Sequence, residues 1–181
     1  MTLDEAIKNR RSIRKFKDAP VKREDIEACI NAARLSPSAC NSQPWHFVVF
    51  DEPKAKEEFC QKAFGGIYAP MKFFAKAPVI IAVAGSKAAN LVTRLGQSIS
   101  GTKFYLIDQG LACENFALKA CELGLGTCFV GWFDNKAAKK ALNLPAGKET
   151  QLLIIMGYPD EAPEPRPRKE LKEILSYNKY K

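Results

Sequence analysis

The stretch Thr102–Leu123 constrains this 181-residue chain more than any other. It carries the longest helical signal, and its apolar residues do not keep to one side. Phe104, Leu106, Ile107, Leu111, Ala112, Cys113, Phe116, Ala117, Leu118, Ala120, Cys121 and Leu123 fall around most of the circumference. A helix that is apolar all round must be covered on all sides. In a chain of this size the pattern predicts a helix that serves a core and a dimer interface together. Gly124 and Gly126 end it.

The other elements follow from shorter patterns. Thr2-Leu-Asp-Glu5 reads as a capping box, with a first helix to about Asn9 that buries Leu3, Ala6 and Ile7. Glu24–Leu35 sets Ile26, Ile30 and Ala33 on one helical face, and Ser36-Pro37-Ser38 stops it because the residue before proline resists the helical conformation. His46–Phe50 and Pro78–Gly85 are apolar runs of strand length, the second rich in β-branched residues and expected to be central. Pro53–Ala63 reads as a helix closed by Gly65-Gly66. Thr127–Gly131 and Gln151–Gly157 read as two further strands, with Asp134 capping a helix through Leu142 between them. Ser86–Gly101 is mixed in period and is expected to be a loop or lid with a little helix. The tail Ala162–Arg168 holds three prolines and is expected to be extended, before a last short helix over Glu170–Leu175.

Strands separated by helices are compatible with a doubly wound fold. The glycine pattern opposes it, because a dinucleotide fingerprint needs G-x-G-x-x-G after a strand and before a helix. Gly124-Leu-Gly126 sits in the reverse order, after a helix and before a strand. The reading is an α+β fold, a mixed and mostly antiparallel sheet flanked by helices, forming one domain over residues 1–181 and dimerising through the long central helix.

Composition narrows the function. The six cysteines form no C-x-x-C pair and His46 is the single histidine, so no metal site is expected. Most of the thiols are expected to act as small buried apolar groups. No apolar run approaches the roughly 20 residues that cross a bilayer, and no apolar leader follows Met1, which points to the cytoplasm and away from the membrane. The net charge of +8 suits nucleic acid or small anions, but its basic residues are scattered and do not interleave with aromatics as a single-strand binding surface would.

Two segments carry candidate chemistry. Arg10, Arg11, Ser12 and Arg14 place three guanidinium groups and a hydroxyl within five residues. Arginine forms bidentate hydrogen bonds to phosphate, so this is an anion site or else an exposed basic turn. Ser36–Phe47 is dense in small polar residues and leads into a strand. Asn41 and Gln43 each offer an acceptor and two donors, which match the edge of a planar heterocycle. The plainer reading is a structural turn with Trp45 and Phe47 in the core. His46 reads as structural, and Cys40 has no second histidine or nearby cysteine to activate it.

The segments R-R-S-x-R, S-P-S-x-x-N-S-Q-P-W-H-F, L-G-L-G-T-x-x-x-G and P-R-P-R-K-E-L occur in that order from about Leu3 to Leu175. Together they resemble the nitroreductase family of flavoproteins. The resemblance implies an FMN-dependent NAD(P)H oxidoreductase, a homodimer with two flavin sites at its interface. It implies ping-pong hydride transfer from NADH or NADPH to a small oxidant such as a nitroaromatic or quinone, with no protein acid–base residue. Arg10, Arg11 and Ser12 would meet the phosphate and ribityl chain, Arg14 the ring, and Arg168 with Arg166 would complete a phosphate clamp. Pro37, Ser38 and Asn41 would come from the other subunit, with Gln43 in the same loop. Val130 and Gly131 would offer backbone donors near flavin N5 and O4, and Lys72 would face the reduced ring. Rival readings are a same-fold flavoenzyme acting on enones, halogenated aromatics or flavin itself, or a non-enzymatic flavin- or nucleic-acid-binding module.

Overall fold

Val79–Ser86 is apolar on both of its faces, and burial on both faces requires cover above and below. The computed structural model, which describes residues 1–87 and 90–180, supplies that cover with helices on each side of one four-stranded sheet. The strands are β1 (His46–Phe50), β2 (Val79–Ser86), β3 (Gly126–Val130) and β4 (Lys148–Gly157), in the order β1-β2-β4-β3. All three strand pairings are antiparallel. The parallel component expected of a mixed sheet is confined to an isolated bridge between Ser12 and Thr127.

Seven helices among the described residues complete the fold: α1 (Leu3–Asn9), α2 (Arg23–Arg34), α3 (Pro53–Ala63), α4 (Leu91–Ser100), α5 (Phe104–Glu122), α6 (Asn135–Ala141) and α7 (Leu171–Ile174). Helices α2 and α5 pack on one sheet face, where Ile26, Ala33 and Phe116 meet Val79, Ile81, Val83, Ile154 and Met156. Helices α3 and α6 close the other, where Phe59, Phe64 and Ala138 meet Ile80, Ala82, Leu153 and Ile155. The period-2 alternation of β2 and β4 thus feeds two cores rather than one.

Several expectations are corrected. In α1 the capping box forms as read, with Glu5 N donating to Thr2 Oγ1 at 3.3 Å and Thr2 N to Glu5 Oε2 at 2.7 Å. Of its three apolar residues, however, only Ala6 is buried, while Leu3 and Ile7 stay 67% and 55% exposed. A seven-residue helix meeting one flank of α5 has a single residue row to bury. Strand β4 starts at Lys148, before its apolar run, because Ser86 and Gly85 of β2 pair with Lys148 and Glu149. Gly66–Lys76, to which the sequence reading gave no element, winds into short 3-10 turns around Pro70.

The segment Ser86–Gly101 departs most from its reading. Residues 88 and 89 lie outside the described residues, but Leu91–Ser100 is a regular ten-residue helix. Asn90 and Thr93 cap each other, Thr93 N donating to Asn90 Oδ1 at 2.8 Å and Asn90 N to Thr93 Oγ1 at 3.3 Å. Gly101 ends the helix in the left-handed conformation, with φ 70°.

The long helix is not apolar all round. Asp108 and Gln109 lie on its inner side at 5% and 4% exposure, whereas Leu106, Ile107 and Leu111 face outward. Burying two polar side chains requires partners for them, and those partners lead to the candidate site.

Candidate functional site

The N-terminal arginines are held by backbone pairing. Ile13 N donates to Thr127 O at 2.9 Å, Lys17 N to Tyr158 O at 2.9 Å and Asp160 N to Lys15 O at 3.0 Å. The segment Arg10–Lys17 is therefore laid along the ends of β3 and β4. Glu161 strengthens the seat by accepting from Arg14 N at 2.6 Å and Lys15 N at 3.2 Å. Arg10 Nε lies 3.1 Å from Glu114 Oε1 on α5. Arg11 Nη1 donates to Lys8 O at 2.5 Å and to Arg10 O at 2.9 Å.

The chain's two ends meet here. Arg10, Arg11, Ser12 and Arg14 line one pocket together with Arg166, Arg168, Pro163 and Glu164. Five arginines and one glutamate line the pocket, and although Arg10 is paired with Glu114 outside it, the excess of positive charge suits an anion. Arg168 Nη1 folds back to Arg166 O at 3.2 Å and Pro167 O at 3.3 Å, so the proline-rich tail is shaped by its own arginine. A second cavity of about 320 Å³ adjoins, sharing Arg10 and Arg11 and walled by Ile13, Cys121, Leu125 and Thr127.

Pro37, Ser38, Asn41 and Gln43 do not line this pocket. Their loop runs instead along α5. Asn115 Nδ2 donates to Ser36 Oγ at 2.7 Å, Ala39 N donates to Asp108 Oδ1 at 3.2 Å, and Ser42 Oγ lies 3.5 Å from Asp108 Oδ2. Gln109 Nε2 donates to Pro44 O at 2.6 Å across Gly85, where a Cβ would lie 2.0 Å from that carbonyl oxygen. Within the loop, Gln43 N donates to Ser38 Oγ at 3.0 Å and Gln43 Nε2 to Asn41 Oδ1 at 3.2 Å.

The loop backbone is strained. Cys40, Asn41 and Gln43 have φ of 51°, 50° and 44°, all in the left-handed region. Asparagine tolerates that conformation, but cysteine and glutamine lose about 1–2 kcal/mol each there. Such strain persists only where the surroundings over-determine it, and it clusters at functional sites. Asp108, Gln109 and Asn115 supply the determination, and sequence reasoning missed all three. The available signal was polar residues interrupting an otherwise apolar helix.

The remaining candidates lie around β3. Val130 is buried at its end, and Gly131 follows it, exposed, with open space where a Cβ would stand. Trp132 then packs against Tyr68 with the rings tilted at 60° and their centroids 5.6 Å apart. Tyr68 belongs to the same 3-10 segment as Lys72, which is exposed. Among the thiols, Cys29, Cys60, Cys113 and Cys128 are buried, as expected of small apolar groups. Burial pushes Cys29 and Cys113 up to about 12 and Cys60 up to about 11.

With this geometry in place, comparison with known proteins identifies the class. The model of the nitroreductase family matches residues 7–158. The chain belongs to the nitroreductase family. A protein of Methanothermobacter thermautotrophicus, provisionally named NADH dehydrogenase/NAD(P)H nitroreductase, is 31% identical over 92% of this chain and 82% of its own length. The NADPH-flavin oxidoreductase of Vibrio harveyi is 26% identical, covering 97% of this chain and 73% of that protein. The crystal structure of a nitroreductase family protein from Clostridium difficile 630 superposes with a TM-score of 0.80 at 28% identity, covering 99% of this chain and 100% of that one.

Proposed function

We propose that this protein is an FMN-dependent NAD(P)H oxidoreductase that works as a homodimer and reduces small oxidants such as nitroaromatics or quinones. The observation that carries the reading is the meeting of Arg10, Arg11, Ser12 and Arg14 with Arg166 and Arg168 around one pocket in a member of this family. The donor set suits FMN. A terminal phosphate monoester carries nearly two negative charges, and arginine binds its oxygens in pairs.

In this reading Arg10, Arg11 and Ser12 hold the phosphate and ribityl chain, Arg168 with Arg166 closes over the phosphate, and Arg14 lies toward the ring. Glu114 steadies Arg10 through its Nε and leaves the far end of the guanidinium for the ligand. Val130 and Gly131 offer backbone donors to the ring edge, and Lys72 offers a positive charge to the pyrimidine side. FMN held by these residues would supply the hydride-transfer chemistry between NADH or NADPH and the oxidant. The protein's own part is binding, orientation and exclusion of water.

The homodimer has separate support. Leu106, Ile107 and Leu111 form an exposed apolar strip on α5, the pattern of a helix that awaits a second partner. A second copy would also bring Pro37, Ser38, Asn41 and Gln43 to an arginine pocket that they do not line within one chain.

The visible spectrum of the purified protein tests the reading. Absorbance at about 450 nm, as for any oxidised flavin, should bleach on addition of NADH or NADPH and return with a nitroaromatic or quinone. A colourless protein that takes up no added FMN overturns it. A flavin that bleaches but is reoxidised only by enones, halogenated aromatics or free flavin would keep the cofactor assignment and change the acceptor.

A further inference from the structure

The loop Ser36–Pro44 is fastened at intervals along one helix. Ser36 is tied to Asn115, Ala39 and Ser42 to Asp108, and Pro44 to Gln109. The loop thus runs from Asn115 to the Asp108–Gln109 turn of α5, and Asp108 grips it on both sides of the left-handed residues Cys40 and Asn41. Asp108 is almost wholly buried, so these two groups stand where water would otherwise solvate its oxygens. The bonds within the loop do not replace it. They join Ser38 to Asn41 and Gln43, and Ala39 to Ser42, which closes the turn on itself without seating it on the protein.

We propose that Asp108 is a positioning residue for the flavin-binding loop. Its buried carboxylate pre-sets the left-handed turn over Cys40–Gln43 in the FMN-free protein, so that the Asn41 and Gln43 side chains are presented in place. The inference rests on the reading that this loop contacts FMN. A loop ordered before the ligand arrives spares binding the cost of ordering it, and preorganised sites gain affinity chiefly in that way. Asp108 reaches FMN only through the loop and need not touch it.

Asp108→Leu and Asp108→Asn separate this role from plain structural support. Leucine fills the volume but accepts no hydrogen bond. The asparagine amide can accept from Ala39 N–H and donate to Ser42 Oγ. We expect Asp108→Leu to weaken FMN binding by about tenfold or more, which is about 1.4 kcal/mol, as read by quenching of flavin fluorescence. The Tm of the FMN-free variant should change little, because leucine removes the cost of burying a carboxylate while the part-buried Ala39 N–H and Ser42 hydroxyl lose their acceptor. Asp108→Asn should restore most of the affinity. Unchanged FMN affinity in Asp108→Leu overturns the inference, as does a loss that tracks a fall in Tm and is not rescued by asparagine. Hydrogen exchange of the wild-type protein provides a test that needs no variant. The amides of Ala39, Asn41, Ser42 and Gln43 should be protected before FMN is added, and exchange at unstructured rates overturns the inference. Failure of the wild-type protein to bind FMN sinks the cofactor reading itself. Preorganisation of the loop still stands or falls on the exchange result.

Discussion

Ile13 lies so close to Gly126 that a Cβ at 126 would stand 2.7 Å from both Cβ and Cγ1 of Ile13. The contact is between the arginine segment and the first residue of β3, beside the bridge that joins Ser12 to Thr127. Glycine at 126 is therefore required by approach rather than by backbone angle. Gly126→Ala should push the arginine segment off the sheet, with an overpacking cost of about 1–3 kcal/mol in chemical denaturation. Gly131→Ala is the control, because its Cβ would meet no atom within 4 Å. A cost below about 0.5 kcal/mol is expected there. Equal losses would show that the Ile13 contact does not anchor the segment.

Arg168 and Lys169 are neighbours of like charge in the tail, but only Arg168 lines the arginine pocket. Arg168→Ala should weaken FMN retention by about tenfold or more, within the range for a charge-assisted hydrogen bond to phosphate. Lys169→Ala should leave retention near wild type. Dialysis against buffer followed by flavin quantitation measures both. Equal losses would reduce the clamp to a diffuse effect of net charge, which high salt would also erase.

The elements read most surely in the sequence were those with a single dominant pattern. HFVVF and PVIIAVAG became β1 and β2 because an apolar run of strand length has few other uses, and Pro53 opens α3 because proline suits the first helical turn. Residue types alone left Arg10, Arg11, Ser12 and Arg14 open between an anion site and an exposed basic turn, and only the resemblance to the nitroreductase family joined them to Arg166 and Arg168. Other features were hidden for physical causes. Helix α4 is capped by an Asn–Thr pair instead of the commoner Ser/Thr with Glu, which left its start unmarked. The left-handed turn falls on Cys40 and Gln43, where no glycine announces it. Asp108 and Gln109 were outnumbered by their apolar neighbours, and a pattern counted over a whole helix passes over the two residues whose burial needs explaining. Leu3 and Ile7 show the converse, since a short terminal helix lacks a second surface to bury against.

The cysteines should divide sharply by reactivity. Burial holds Cys29 and Cys113 up to about 12 and Cys60 up to about 11, so at pH 8 they carry almost no thiolate and lie out of reach. Cys40 is exposed in the loop assigned to FMN. Iodoacetamide at pH 8 followed by peptide mapping should find Cys40 modified first, and bound FMN should slow it several-fold. Modification of Cys113 at a comparable rate in the folded protein would contradict the packing described. The same shifts bear on stability. The unfolded chain releases its thiol protons near the ordinary value of about 8.5, whereas the folded chain keeps them, so folding stability should fall as pH rises from there toward 12. Cys113→Ala should flatten part of that fall.

The exposed strip on α5 gives the last prediction, and it joins the oligomeric state to the cofactor. Ile107 and Leu111 are 53% and 45% exposed in one chain and sit one turn apart on the outer face of the helix. Leu111→Glu places a carboxylate where a second copy would pack, and burying it unpaired is prohibitive. Sedimentation velocity should therefore show a dimer for the wild-type protein and a monomer for Leu111→Glu. Because Asp108 and Gln109 face inward from the same helix, the variant should keep its loop fastened and its fold intact by circular dichroism. It should nonetheless lose FMN, since in the proposed dimer Asn41 and Gln43 reach the arginine pocket of the other copy. A monomer that retains FMN with wild-type affinity would place the whole flavin site within one chain and would require a different role for the Ser36–Pro44 loop.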